Sequence, residues 1–318
     1  MLYEKADTST FRYRCYNLYQ WTKKSDDWQC IYFFLDEAQT ILEYLPKCTL
    51  FVIVRARWEH IVDQLIYRAK SLNKKVIFDV DDLIFDINYF NLVTNTLNVH
   101  FGSERDYEFW FACITRIGFT ASKADGFTCT NAFLGERLQT LYGKPFQVIP
   151  NSLNEEQITV SEYYSKAKKA ESRKYPFSIG YFSGTPSHIN DFKVVYKELA
   201  QLLHDYPEMR LDVVGFMNFP AELNTYIQAG RITFQPLVDF IELQRLMAQV
   251  DVNVVPLVNN TFTNCKSELK FFEGAIVDTI TLATPIYTYK NAILSGENGY
   301  LCKEGDWYSA IESIFKDL

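Results

Sequence analysis

Short apolar, β-rich runs alternate along this chain with longer stretches whose apolar positions recur every three or four residues. The runs predict strands at residues 49–54, 75–80, 126–130 and 146–149, and again at 178–182, 211–214, 232–235, 252–256 and 281–287. The periodic stretches predict helices at 11–23, 59–71, 105–122 and 132–141, then at 192–205, 221–228, 240–249, 267–277 and 307–316. In the stretch 192–205, Phe192, Val195, Leu199, Leu202 and Leu203 fall on one helical face. Strands alternating with helices predict βαβ units and parallel sheets. Between the halves, residues 154–175 are rich in Glu, Ser and Lys and poor in large aliphatics, which marks a connection with some helical character. The expected division is therefore residues 1–155 and 156–318. Each is a doubly wound α/β domain that binds ligands at the carboxyl ends of its strands.

Composition narrows the class. The chain has 318 residues, a size that suits two domains. With 48% hydrophobic and 22% charged residues it has the balance of a globular protein. The net charge of −7 is the wrong sign for nucleic acid, so no nucleic-acid partner is expected. The seven cysteines (Cys15, Cys30, Cys48, Cys113, Cys129, Cys265, Cys302) show no CxxC pair, and the four histidines are scattered. Neither a disulfide framework nor a metal cluster is expected, and a cytoplasmic location follows as the expectation. No apolar run reaches the length of a membrane-spanning helix. The basic pairs Lys23-Lys24 and Lys74-Lys75 are compatible with peripheral attachment at the inner face of a membrane.

Two segments of the second half carry chemistry. After the strand at 178–182 comes Ser183-Gly184-Thr185-Pro186-Ser187-His188. A glycine there lets a ligand approach the backbone, and a following helix start offers N–H groups to phosphate. Read alone, the segment serves equally as an ordinary capped turn, with His188 a surface histidine. The second segment is Lys266-Ser267-Glu268-Leu269-Lys270-Phe271-Phe272-Glu273-Gly274-Ala275. Ser267 is the expected N-cap. Lys270 and Glu273 share a helix face. Together they suit a nucleoside diphosphate: the lysine neutralises phosphate and the carboxylate accepts ribose hydroxyls. The plainer reading is an exposed salt bridge.

The segment 264–285, with Lys270, Glu273 and then Ala283-Thr284-Pro285, resembles the donor-binding helix of the retaining family 4 (group 1) glycosyltransferases of the GT-B fold. Three further likenesses fall in the family's order: Val148-Ile149-Pro150-Asn151-Ser152, Tyr181-Phe182-Ser183-Gly184-Thr185 and Asn298-Gly299-Tyr300-Leu301. The resemblance covers most of 125–302. It implies a GT-B architecture of two Rossmann-like domains with a cleft between them, and a donor such as a UDP-, GDP- or dTDP-sugar bound by the second. It also implies a glycan or lipid-linked acceptor on the first, retention of anomeric configuration, no required cofactor or metal, and polysaccharide assembly as the setting. By position, Glu273 would hold the ribose. Lys270 and the Gly184–Thr185 loop would lie at the diphosphate, with His188 in the same region. Cys265 stands where the family often has a second glutamate, and the usual basic residues after the glycine loop are not evident. Lys266 is a candidate replacement for that charge.

In the first half, Asp79, Asp81 and Asp82 stand at the end of the strand at 75–80, inside an apolar run, where unpaired carboxylates cost too much to be accidental. Within the GT-B reading, Asp81 or Asp82 would act on the donor sugar or the acceptor hydroxyl. Asp79 and Asp81 also resemble the paired aspartates of magnesium-dependent haloacid-dehalogenase-type phosphatases, although Leu83 departs from that pattern. The same aspartates are compatible with the metal-binding Asp-x-Asp of single-domain glycosyltransferases and with a loop-capping role. The chain as a whole is compatible with a catalytically degenerate binding or scaffold protein. Arg55 and Arg57 follow a predicted strand. Arg12 and Arg14 are candidate phosphate contacts, with a surface location the simpler expectation.

Overall fold

A computed structural model describes residues 1–5, 10–170, 176–184 and 188–317. The chain divides into two compact units. The first comprises Met1–Asn95, Val99–Asn154 and Cys265–Ser267; the second comprises Thr96–Asn98, Glu155–Asn264 and Glu268–Leu318.

The first unit holds six parallel strands: β1 (Leu2–Tyr3), β2 (Phe33–Phe34), β3 (Leu50–Val54), β4 (Lys75–Val80), β5 (Gly126–Cys129) and β6 (Phe146–Val148). Their spatial order is β2-β1-β3-β4-β5-β6. The middle strands pair in register, Ile53 beside Phe78 and Phe78 beside Phe127. All three side chains are buried, because helices cover both faces of a parallel sheet.

The second unit repeats the architecture in another order. It has β7 (Ser178–Ser183), β8 (Arg210–Gly215), β9 (Ile232–Gln235), β10 (Val252–Val255), β11 (Ile280–Ala283) and β12 (Tyr300–Leu301), arranged β12-β11-β10-β7-β8-β9. All pairings are parallel. Its core collects Leu199, Leu202 and Leu203 from the helix Tyr196–Asp205 with Trp307 and Ile311 from Trp307–Asp317. Each fully buried leucine contributes about 1.5–3 kcal/mol. Gly215, at φ 105°, ends β8 against the backbone of β7, where a Cβ would lie 1.7 Å from the Ser183 carbonyl oxygen. Only glycine fits that approach.

Several predicted elements are corrected. The helix expected at 192–205 is two, His188–Phe192 and Tyr196–Asp205, with a tight turn between them in which Val195 N–H donates to the Phe192 carbonyl. The strand expected at 281–287 stops at Ala283. Pro285 has no N–H to extend the ladder, and Tyr287–Ala292 is a helix. The connecting segment, by contrast, is partly helical as expected, with the helix Glu155–Ala170. The helix expected at 11–23 opens with a π-helical turn, Arg12–Tyr16, before Asn17–Thr22.

Candidate functional site

In the first unit the carboxyl end of β4 is built from charge. Asp79 is buried, and Arg14 grips it with Nε 2.9 Å from Oδ1 and Nη2 2.6 Å from Oδ2. The Thr128 hydroxyl donates to the same Oδ2 at 2.7 Å. The remaining Arg14 nitrogen donates to the Ile149 carbonyl (2.7 Å) and to Asn151 Oδ1 (3.1 Å). Arg14 is wholly buried, which corrects the expectation of a surface or phosphate-contacting arginine. The π-helical turn carries it inward, and such turns recur at functional sites. With both oxygens engaged, Asp79 is not disposed to act as a nucleophile, which counts against the phosphatase reading.

Asp81 and Asp82 follow at the mouth of the strand. Arg55 Nη1 lies 2.9 Å from Asp81 and 3.9 Å from Asp82. Thr10 bridges, donating to Asp81 at 3.0 Å and accepting from Arg55 at 2.9 Å. Arg55 has φ 40°, a left-handed conformation unfavourable for a residue with a Cβ. Its N–H donates to the Asp79 carbonyl and its guanidinium to Asp81, so both ends of the strained residue are held. Lys266 Nζ stands 3.4 Å from Asp82. Burial pushes the Asp82 carboxyl above its ordinary range; Lys266 and Arg55 pull it down and Asp81 pushes it up.

Residues Cys265–Ser267 thus pack with the first unit. Asn131 caps the helix Ala132–Tyr142 through its side-chain oxygen and donates its amide to the Cys265 and Lys266 carbonyls at 2.8 and 3.3 Å. Asn151 donates to the Ser267 hydroxyl at 3.0 Å. Ser267 is therefore not the expected N-cap. Glu268 occupies that position, without a side-chain capping bond, and the helix runs Leu269–Ala275. Burial drives the Cys265 thiol up to about 12, so it stays protonated.

In the second unit the strand order reverses between β7 and β10, the place where a doubly wound sheet opens a crevice for ligand. The residues just beyond those two strands are Gly184 and Pro256. A Cβ on Gly184 would meet nothing within 4 Å among the described residues, as close ligand approach requires. The helix Leu269–Ala275 carries Lys270 and Glu273. Its position is fixed from below: Asn253 on β10 donates to the Lys270 carbonyl at 3.0 Å. Gly274 lets the helix approach Thr281 and Asn253 closely. The Lys270 ammonium lies 6.0 Å from the ring centroid of Tyr181 on β7. Glu273 is buried rather than exposed.

Burial raises the Tyr289 phenol far above its usual range, and the charges of Glu268, Glu273 and Asp191 raise it further. Carboxylates from separate segments therefore gather around that ring. Asp191 also accepts from the Val258 N–H at 2.9 Å, fixing the loop after β10. Lys270, Glu273 and the helix that follows the glycine loop are thus brought together, while Lys266 sits with Asp82 in the first unit. Thr185 lies outside the described residues, as does the side chain of His188. Asn253, Asp191 and Asn131 escaped the sequence reading, because a polar residue inside an apolar run or at a cap carries no motif of its own.

Residues 176–317, which contain Gly184, Lys270 and Glu273, match the family described as glycosyl transferases group 1. That likeness to group 1 glycosyltransferases falls within the second unit, Cys265–Ser267 apart, and takes in all six strands of its sheet. Solved structures extend the likeness of fold beyond the matched residues. HepE of Anabaena, in complex with UDP and glucose, is 13% identical over 99% of this chain and 88% of its own, with a TM-score of 0.59. Sucrose-phosphate synthase from Thermosynechococcus elongatus is 16% identical over 91% and 72%, at 0.55. The pneumococcal O-GlcNAc transferase GtfA, in complex with UDP and GlcNAc, is 15% identical over 88% of this chain, at 0.53; the chain spans 51% of its length. These are GT-B proteins, and the two six-stranded parallel sheets here are of that fold class. Among the curated proteins, none matches in sequence. Among the described residues, no helix is long and apolar enough to cross a membrane.

Proposed function

We propose that this chain transfers a sugar from a nucleoside-diphosphate sugar to a hydroxyl of a glycan or lipid-linked acceptor, with retention and without a divalent metal. The observation that carries the reading is that Lys270 and Glu273 share one helix within the residues that match the group 1 glycosyltransferases, beside the strand that runs into Gly184. Glu273 accepts the ribose hydroxyls. Lys270, with the backbone N–H groups beyond Gly184, neutralises the diphosphate as it leaves, which is electrostatic stabilisation of a departing anion. Thr185, His188 and Lys266 are secondary candidates for diphosphate contacts. Asp81 or Asp82 acts on the sugar or orients the acceptor hydroxyl; Asp82, held above its ordinary range, is the better placed to exchange a proton. UDP is the first nucleotide to try, because HepE and GtfA were solved with it.

Thermal unfolding with UDP, GDP, dTDP and ADP, with and without EDTA, tests the reading in the intact chain and in Glu273→Ala. One nucleotide is expected to raise the Tm regardless of EDTA and to lose that effect in the variant. A shift that needs magnesium, or that survives in Glu273→Ala, refutes the assignment. The anomeric proton of the product reports retention or inversion by NMR.

A further inference from the structure

We propose that the first unit docks on an anionic lipid surface through the amino ends of its strands, a face ringed by lysines. The strands of a parallel sheet all start at one pole. Here a lysine stands within three residues of the start of each of four adjacent strands: Lys47 before β3, Lys74 before β4, Lys123 before β5 and Lys144 before β6. Neighbouring strands lie about 4.8 Å apart, so the row is about 15 Å wide. Lys75 opens β4, and Lys70 lies in the last turn of the preceding helix, His60–Ser71. The stretches 45–50, 70–75, 122–126 and 143–146 that form this pole hold those lysines and one acid, Asp125, in a chain of net charge −7. Asp125 is engaged within the fold, accepting from the Val76 N–H at 2.8 Å.

Part of this charge has a local use. Lys70 donates to the Lys123 carbonyl at 2.6 Å, and Lys144 to the Ser122 and Ala124 carbonyls at 2.7 and 2.6 Å, at the end of the helix Glu104–Lys123. A helix end carries only about half an elementary charge, so these two already exceed what it requires. The side chains of Lys74 and Lys75 make no hydrogen bond or ion pair among the described residues. The matching pole of the second unit engages its charges instead. There Lys169 lies 2.9 Å from Asp278, Arg231 donates to the Leu203, Tyr206 and Met209 carbonyls, and Asp251 accepts from the Ser178 N–H.

Spread and composition identify the occupant. The lysines run along a row rather than gathering round one point, which suits an extended anionic surface over a small anion. Exposed apolar side chains stand among them: Leu50 opens β3, Leu141 precedes Lys144, and Phe119 holds the Lys123 ammonium 4.4 Å from its ring centroid. Apolar side chains flanked by lysines that reach past them suit a bilayer surface, where the chains enter the interface and each ammonium meets anionic headgroups. A soluble polyanion has no partner for the leucines. The six residues of β4 span about 20 Å, so Asp81 and Asp82 at its far end stay clear of the bilayer. The inference does not depend on the transfer reaction.

Flotation of the intact chain with vesicles tests this, using phosphatidylcholine alone and phosphatidylcholine mixed with phosphatidylglycerol, at low and high salt. The chain is expected to float with the mixed vesicles at low salt and to be released at high salt. Replacing Lys74 and Lys75 together by glutamine should weaken that partition by about fivefold for each lysine, whereas Lys23→Gln with Lys24→Gln leaves it unchanged. Near-ultraviolet circular dichroism confirms the fold of each variant. Binding to neither vesicle, equal binding to both, or no loss in the Lys74→Gln, Lys75→Gln variant overturns the proposal. So does retention on heparin without flotation, because the face would then serve a soluble polyanion. The UDP-induced Tm shift is measured in the same samples; flotation without that shift leaves this face standing and removes the donor reading instead.

Discussion

The two sheets are built alike and used differently. Both are six-stranded and parallel, and each reverses its strand order once: between β1 and β3 in the first unit, between β7 and β10 in the second. In the first, the protein's own charges fill the carboxyl ends at the reversal. Arg57 grips Glu4 with both side-chain and backbone nitrogens, and Arg55 ties Thr10, Asp81 and Asp82 together. In the second, Gly184 and Pro256 stand there, residues that bring no side-chain donor or acceptor. Topology offers two equivalent strand-order reversals; residue type fills one with internal ion pairs and leaves the other without side-chain donors or acceptors at its strand ends. The first unit is thus preorganised at the expense of burying charge. The second keeps its carboxylates around a buried tyrosine and its lysine over an aromatic ring.

The most severe challenge to this contrast is Arg14→Ala. Removing one partner of a fully buried pair strands Asp79 and is expected to lower stability by about 3–5 kcal/mol, read by urea unfolding. Arg57→Ala, at a partly exposed pair, should cost about 1 kcal/mol or less. Equal losses would show that the first unit is not organised around its buried pair. Next in size is the nucleotide response. At one hundred times its dissociation constant a ligand adds roughly 2.7 kcal/mol, and Glu273→Ala should abolish that gain while Arg57→Ala leaves it intact.

Asn131→Ala removes a helix cap and two bonds to the segment 265–266, for an expected loss of about 1–2 kcal/mol by chemical denaturation. A loss of only a few tenths would mean that segment is held by something else. The smallest effect is the pH dependence of Asp82→Asn. Because burial raises this carboxyl, the folded chain binds its proton more tightly than the unfolded chain does. Ionisation then costs stability; the cost is absent below the unfolded value of about 3.9 and grows as pH rises past it. The variant should match the parent in Tm near pH 4 and exceed it at pH 7. A gain at pH 4 that vanishes at pH 7 would reverse the sign assigned to this group.

The central strands, the alternation of strand and helix and the family likeness of the second half were legible in the sequence. Buried parallel strands must be apolar runs, and a helix that serves a nucleotide must present its lysine and glutamate on one face. The strands β1, β2 and β12 were not, since two residues carry no period. Strand order was equally invisible, because pairing joins segments far apart in the chain. The sequence could place Arg14, Asp79 and Ser267 on their local elements but not name their partners. Only the tertiary structure put Arg14 against Asp79 and Ser267 against Asn151, because burial and long-range geometry decide which of many compatible charges and amides meet.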